Sequence, residues 1–259
     1  RRLHQPGRRV GSARAAAPAC AHRAGMAGRR LRHRCRAAPC RPYAGRCSGA
    51  DWRRCREVGA WLVLDGTQSI GAMPFDVQQV QPDAIINVGY KWLLGPYSAG
   101  AAYFGPAFDE GRPLERNWIN RIGSEEFKNL VNYQTEYRPF ADRYNVGERS
   151  NFILNPMFCA SLTQILDWGV ENIESYCHQL LAEPLKLLQE KGFWVDDLPY
   201  RSKHLVGLRI PPQADIARIQ ASLKARNVQV SFRGQAIRIA PHVYNNMNDI
   251  DVLIEGLIL

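Results

Sequence analysis

"LDGTQSIGAMPFDVQQVQPDAIINVGYKWLLGP", Leu64 to Pro96, opens with an aspartate at the end of one apolar run and reaches a lysine just past a second. The run Trp61 to Leu64 predicts a short buried strand that ends in the turn "DGTQ", and Ala84 to Val88 predicts another. Between them, "AMPFDVQQVQ" is a short connection. A third run, Ala99 to Phe104, follows directly. Continuous apolar runs of this length suit strands covered on both faces, so an α/β fold is expected, with a mainly parallel sheet and covering helices.

Downstream, Gly105 to Arg149 is polar and Arg-rich, and residues 155 to 190 carry a long helical pattern that Gly192 stops. A smaller α+β pattern then completes the chain. "HLVGLRI" reads as a strand, "DIARIQASLKARN" as an Asp-capped helix, "VQVSF" and "AIRIA" as a strand pair, and "NDIDVLIEGLIL" as a closing helix. The expected organisation is a partial large domain over 54–154 and a connecting helix with a small C-terminal domain over 155–259.

The first residues differ in texture. Residues 1 to 56 hold sixteen Arg, no Lys and one acid, Asp51, so a chain of net charge +10 is acidic beyond them. Five of the seven cysteines also lie there, with no Cys-x-x-Cys pair, so no metal site is expected. Without apolar periodicity, 1–53 is expected to be disordered. A transit peptide should be Ser-rich and amphipathic, and a nucleic-acid arm should mix Lys and aromatics with its Arg. Neither pattern is met, and a GC-rich stretch translated in a wrong frame fits the composition better. No run of eighteen apolar residues occurs, so no membrane span is expected. A cytoplasmic location is expected separately.

In an open α/β sheet, groups that act on a ligand stand just beyond the carboxyl ends of strands, where Asp65 and Lys91 fall. A partly desolvated lysine can be a nucleophilic amine that forms a Schiff base. An aspartate in the same crevice can keep a pyridinium nitrogen protonated, the condition for a pyridoxal ring to act as an electron sink. Each residue alone has a simpler reading, as a turn aspartate and as a lysine lying over apolar cover.

The combination "LDGTQSIGAMPFDV" with "PDAIINVGYKWLLGPYSAGAAYFG" resembles the cofactor region of the class V aminotransferase-type enzymes, the fold type I pyridoxal-phosphate group that includes cysteine desulfurases and kynureninase. The shared pattern is an Asp-Gly-(Ala/Thr)-(Gln/His) turn, a later Asp-Val, and a strand ending in a Lys with a Gly-Pro turn. The likeness extends to "IRIAPHVYNNMNDIDVLIEGL" at the C-terminus.

It implies pyridoxal 5'-phosphate as cofactor and Lys91 as the lysine that binds it and shuttles the proton at the substrate's α-carbon. Asp65 would pair with the ring nitrogen, Gln68 with the phenolic oxygen, and Tyr90 would meet the phosphate, as in kynureninase. Gly89 lacks the Ser or Thr hydroxyl often found two residues before the lysine. Arg238 would bind the substrate carboxylate, a task suited to a bidentate guanidinium. Trp118 and Asn151 resemble positions that reach the cofactor or substrate across a homodimer interface, with core packing and helix capping as their plainer readings. His178, His204 and His242 read as structural or surface residues.

"NVQVSFRGQAIRIA" lacks the nucleophilic Cys of cysteine desulfurases, so an amino-acid-like substrate is expected to undergo transamination, elimination, cleavage or epimerisation instead. Family members carry a long segment ahead of the Asp-Gly turn, with a Gly-rich phosphate loop. The chain therefore reads as the C-terminal part of such an enzyme, with a truncated or mistranslated start. The alternative is a non-catalytic remnant whose C-terminal domain serves as an interaction or dimerisation module.

Overall fold

The structure, a computed structural model, describes residues 49–258. Most of the segment expected to be disordered lies outside these residues, but its last five begin helix α1, Gly49–Glu57. That helix ends at Gly59, whose φ of +64° lets the Ala60 amide donate back to the Cys55 carbonyl at 2.8 Å.

A two-way clip follows. The Leu62 amide donates to the Asp83 carboxylate at 2.6 Å, and the Asp83 amide donates to the Leu62 carbonyl at 2.8 Å. The clip sets β1, Val63–Asp65, parallel to β2, Ala84–Val88, with Leu64 opposite Ile85 and Asp65 opposite Ile86. The connection between them contains one helical turn, α2, Val77–Val80, capped by Asp76. The Arg56 side chain donates to the Val80 and Gln81 carbonyls at its end.

β3, Gly100–Phe104, lies antiparallel on the other side of β2, so the three-stranded sheet is mixed, and its parallel pairing is the one that leads to Asp65 and Lys91. Cover on both faces is not met by the described residues. Leu64 and Ile85 are buried, whereas Ile86 on the central strand is 46% exposed.

Residues 105–153 form no strand and hold together by side chains and one isolated antiparallel bridge, Arg121 with Tyr137, around three short 3-10 turns. The rings of Phe104, Phe108 and Tyr144 meet one another. Asn120, fully buried, bonds across the passage to Arg143, Asn145 and Arg149.

The long helical pattern resolves into two helices, α3, Leu154–Trp168, and α4, Val170–Glu190. Gly169, at φ +78°, closes α3 by donating to the Ile165 carbonyl and turns the chain. Along α4, Ile173, Cys177, Leu180, Leu181, Leu185 and Leu188 form one buried stripe at helical spacing.

Beyond Gly192 the chain builds a four-stranded antiparallel sheet in the order β4-β5-β7-β6, from Trp194–Val195, Val206–Arg209, Ala236–Ile239 and Ser231–Arg233. Its inner face, with Val206, Leu208, Ile237 and Ile239, packs on α4 and on helices α5, Ile216–Ala225, and α6, Met247–Leu257. Asp215 caps α5, and Asn246 with Asp249 forms a reciprocal cap at α6. Among the described residues no helix is long and apolar enough to cross a membrane, and no group of three metal-ligating side chains occurs.

Candidate active site

Parallel pairing brings the carboxyl ends of β1 and β2 side by side. The Gly66 amide donates to the Ile86 carbonyl at 2.8 Å, so the turn after β1 starts beside the end of β2. Asp65 is exposed at that edge, and one of its carboxylate oxygens accepts the Thr67 amide at 3.0 Å. The turn must hug the sheet. A β-carbon on Gly66 would fall 2.7 Å from Ile70 and 3.0 Å from Ile85.

The lysine sits on a closed loop. The Gly95 amide donates to the Gly89 carbonyl, and the Gly89 amide to the Ala99 carbonyl, both at 2.8 Å. Leu94 and Ser98 complete the loop at φ +52° and +65°, a backbone region costly for such residues. Lys91 is exposed on this loop rather than partly desolvated, its amine 6.0 Å from the Tyr90 ring centre. Tyr90 in turn stacks on Tyr97 at 4.3 Å. At Gly89, the β-carbon of a Ser or Thr would come within 2.8 Å of the Ala99 carbonyl oxygen and 3.1 Å of Phe158. Packing therefore explains the missing hydroxyl.

Two residues outside the expected site, Trp92 and the structural His204, join the turns. Trp92, buried next to Lys91, donates its indole N–H to the Gln68 side-chain oxygen at 3.1 Å. His204, fully buried and arriving from just before β5, meets the Gln68 backbone carbonyl at 2.7 Å. A carbonyl only accepts, so Nε2 of His204 carries the proton, and its Nδ1 is buried without a partner. The His204 ring stands edge-on to Trp92 at 4.6 Å, and His242 stacks on Trp92 at 5.5 Å. Burial holds both imidazoles below their ordinary pKa. The Gln68 carbonyl opposes this shift at His204, and the His204 charge adds to it at His242. Nothing local in the sequence marks either histidine, because both partners lie far away along the chain.

Arg238 lies on β7, which is an interior strand and not an edge, opposite Gly207 on β5 and Ser231 on β6. Its side chain is half-buried and has no hydrogen-bond or ion-pair partner among the described residues, and the space above Gly207 is open. The segment after β7 leads to His242 and so to Trp92 and the lysine loop.

Trp118 and Asn151 are engaged elsewhere. Trp118 is 37% exposed, with its ring edge against Phe127 at 6.0 Å. The Asn151 side chain accepts the Ile153 and Leu154 amides at 3.1 and 2.8 Å and shapes the entry to α3. Neither has a hydrogen bond or ring contact to the two turns among the described residues.

Comparisons with known proteins bear on the family and the fold. The profile of the family described as "Aminotransferase class-V" matches residues 52–253. An uncharacterised aminotransferase of Schizosaccharomyces pombe is 29% identical over 203 residues, 74% of this chain and 48% of that protein. A cysteine desulfurase of Synechococcus elongatus is 27% identical over 132 residues, 51% of this chain and 20% of the other. The apo structure of a cysteine desulfurase from Thermococcus onnurineus superposes with a TM-score of 0.62 at 18% identity, over 79% of this chain and 53% of that one. The chain thus spans about half the length of the curated aminotransferases it matches. With the profile covering most of its length, the chain belongs to the class V aminotransferase family of pyridoxal-phosphate-dependent enzymes.

Proposed function

We propose that this chain binds pyridoxal 5'-phosphate through Lys91 and uses it to act on an amino acid or amine. The observation that carries the proposal is the adjacency of the two strand ends, with the Asp-Gly-Thr-Gln turn fastened to the lysine loop by the Gln68–Trp92 hydrogen bond.

The side chains fit the ring end of such a group. One Asp65 oxygen accepts Thr67, which leaves the other for a protonated ring nitrogen. Gln68 spends its oxygen on Trp92, so its amide N–H₂ is left to donate to the phenolic oxygen. Lys91 has no carboxylate within ion-pair distance among the described residues, so its amine is available to the aldehyde. Tyr90 is assigned to the phosphate.

When bound, the pyridoxal group accepts the electron pair released by breaking a bond at the substrate's α-carbon. The protein's part is placement. Asp65 keeps the ring nitrogen charged, Lys91 moves the proton at the α-carbon, and Arg238 orients the substrate through its carboxylate. In a homodimer, Trp118 and Asn151 are assigned to the neighbouring subunit's site.

Transamination, elimination, hydrolytic cleavage and epimerisation share this apparatus, and sulfur transfer from cysteine is excluded from the proposal. Two observations support that exclusion. The stretch Asn227 to Ala240, which contains Arg238, has no cysteine, and the buried Cys177 thiol is pushed up to about 11 by desolvation, which ill suits a nucleophile.

Adding pyridoxal phosphate to the purified chain is expected to produce an absorbance band that borohydride fixes, with the reduced adduct on Lys91 by peptide mass. Lys91→Ala should abolish it. No band, or a band unchanged in Lys91→Ala, would overturn the proposal and leave the C-terminal domain to be tested as an interaction module.

A further inference from the structure

We infer that Trp92 is the positioning residue that sets the donor direction of Gln68, with His204 pinning the same residue's backbone from the C-terminal domain. The inference rests on the reading of Gln68 given above.

An amide side chain can present either its oxygen or its nitrogen to a ligand, and the two ends differ little in shape. An indole N–H donates and never accepts. With Trp92 Nε1 at 3.1 Å, the Gln68 oxygen is committed to Trp92 and the N–H₂ end is directed outward. Trp92 cannot swing away easily. It is only 7% exposed, packed against Ala72 and Leu205, with its ring between His204 and His242. The backbone is fixed as well, because the His204 Nε2 hydrogen bond at 2.7 Å holds the Gln68 carbonyl. Close approach completes the arrangement: a β-carbon on Gly71 would fall 2.6 Å from the Trp92 carbonyl oxygen, so the two turns are in contact along their backbones. Without the indole donor, Gln68 is free to turn its oxygen toward an anionic phenolic oxygen, which is repulsive.

The consequence is a change in proton affinity rather than in fold. A donor at the phenolic oxygen draws off its negative charge and weakens its hold on the proton shared with the neighbouring lysine nitrogen. Trp92→Phe, which keeps a ring and removes the donor, should therefore raise the pH midpoint of the bound chromophore's colour change. The expected rise is roughly half a unit to one unit, the size of one lost hydrogen bond. Gln68→Leu should raise it at least as far, and the double variant no further than Gln68→Leu alone.

If Gln68→Leu moves the midpoint and Trp92→Phe does not, the positioning role is overturned while the reading of Gln68 stands. If neither moves it, both are overturned. A measurement on protein without cofactor serves where Trp92→Phe does not fold. The Trp92 indole N–H resonance should shift upfield in Gln68→Leu, and an unshifted set of indole resonances overturns the inference.

Discussion

Gly95 lies so close under Phe158 that a β-carbon at this position would come within 2.5 Å of the ring. Phe158 belongs to α3, and Gly95 closes the loop that carries Lys91, so this contact docks a helix on the lysine loop. Gly89 makes the same demand on the other side of the loop, at 3.1 Å from the same ring. An aromatic ring cannot bend out of the way as a flexible chain end can. Gly95→Ala is expected to destabilise the fold by about 1–3 kcal/mol through overpacking. Combining it with Phe158→Leu should cost less than the sum of the two single changes, because they share one contact. Denaturant unfolding of the four proteins checks this, and strict additivity would show that the ring does not bear on Gly95.

Acid should loosen the junction around Trp92. His204 and His242 are buried and held neutral, with folded pKa values below the ordinary histidine value. The unfolded chain therefore takes up protons near pH 6.5, before the folded chain does, and stability falls as pH drops through and below that value. Above it both states are neutral and no further change arises from this source. His242 has both ring nitrogens buried without partners, and its ring stacks between Trp92 and Tyr244. His242→Phe keeps the stack and removes one titrating group. It should match the parent within about 1 kcal/mol at pH 7.5, where no hydrogen bond is lost. At pH 5.5 it should lose less stability than the parent does. An equal acid loss in both proteins would assign the effect elsewhere.

What could be read from the sequence divides along the range of the forces involved. Asp65 and Lys91 were legible as partners because two consecutive buried strands must put their carboxyl ends together when they pair in parallel, as β1 and β2 do. The Asp215 cap of α5 and the Gly192 stop were equally local signals. Gly169 carries no such signal, since a glycine inside a helical pattern can be tolerated without ending the helix. β4, with two residues, is too short to show a period. The bonds that fasten Gln68 could not be foreseen from spacing. His204 reaches it from the other sheet's side of the chain, and no spacing rule pairs the Trp92 indole with Gln68, 24 residues away. The 46% exposure of Ile86 shows the converse error, an apolar strand residue assigned to a face that the described residues do not cover.

Cysteine reactivity should separate the two thiols of α3 and α4. Cys159 is exposed on α3. Cys177 is fully buried, donates to the Pro241 carbonyl at 3.3 Å, and has its thiol pushed up to about 11 by desolvation. At pH 8 a small alkylating reagent is expected to label Cys159 in the folded protein and Cys177 only after denaturant is added. Peptide mass spectrometry reads both sites in one sample. Labelling of Cys177 at the rate of Cys159 without denaturant would mean that α4 does not stay packed on the loop after β7.

Asn120 organises residues that have no strand or long helix of their own. It is fully buried, its backbone amide donates to the Asn117 side chain at 3.0 Å, and its side-chain N–H₂ donates to the Arg143 and Asn145 carbonyls. Its side-chain oxygen accepts the Arg149 guanidinium at 2.8 Å. A single residue thereby joins the middle of the irregular passage to its end, a few residues before Asn151 and α3. Asn120→Leu keeps the volume and removes every side-chain bond, leaving two carbonyls and an arginine without their partner. Each buried group left unpaired costs about 1–3 kcal/mol, so the two carbonyls alone put the loss at about 2 kcal/mol or more, confined first to this passage. Limited proteolysis is the direct measurement. Cleavage within residues 105–153 should appear in Asn120→Leu under conditions that leave the parent intact, while the four-stranded sheet and its helices survive as a resistant fragment. Fragmentation throughout the chain at the same rate would show that the passage is not a separate cooperative unit.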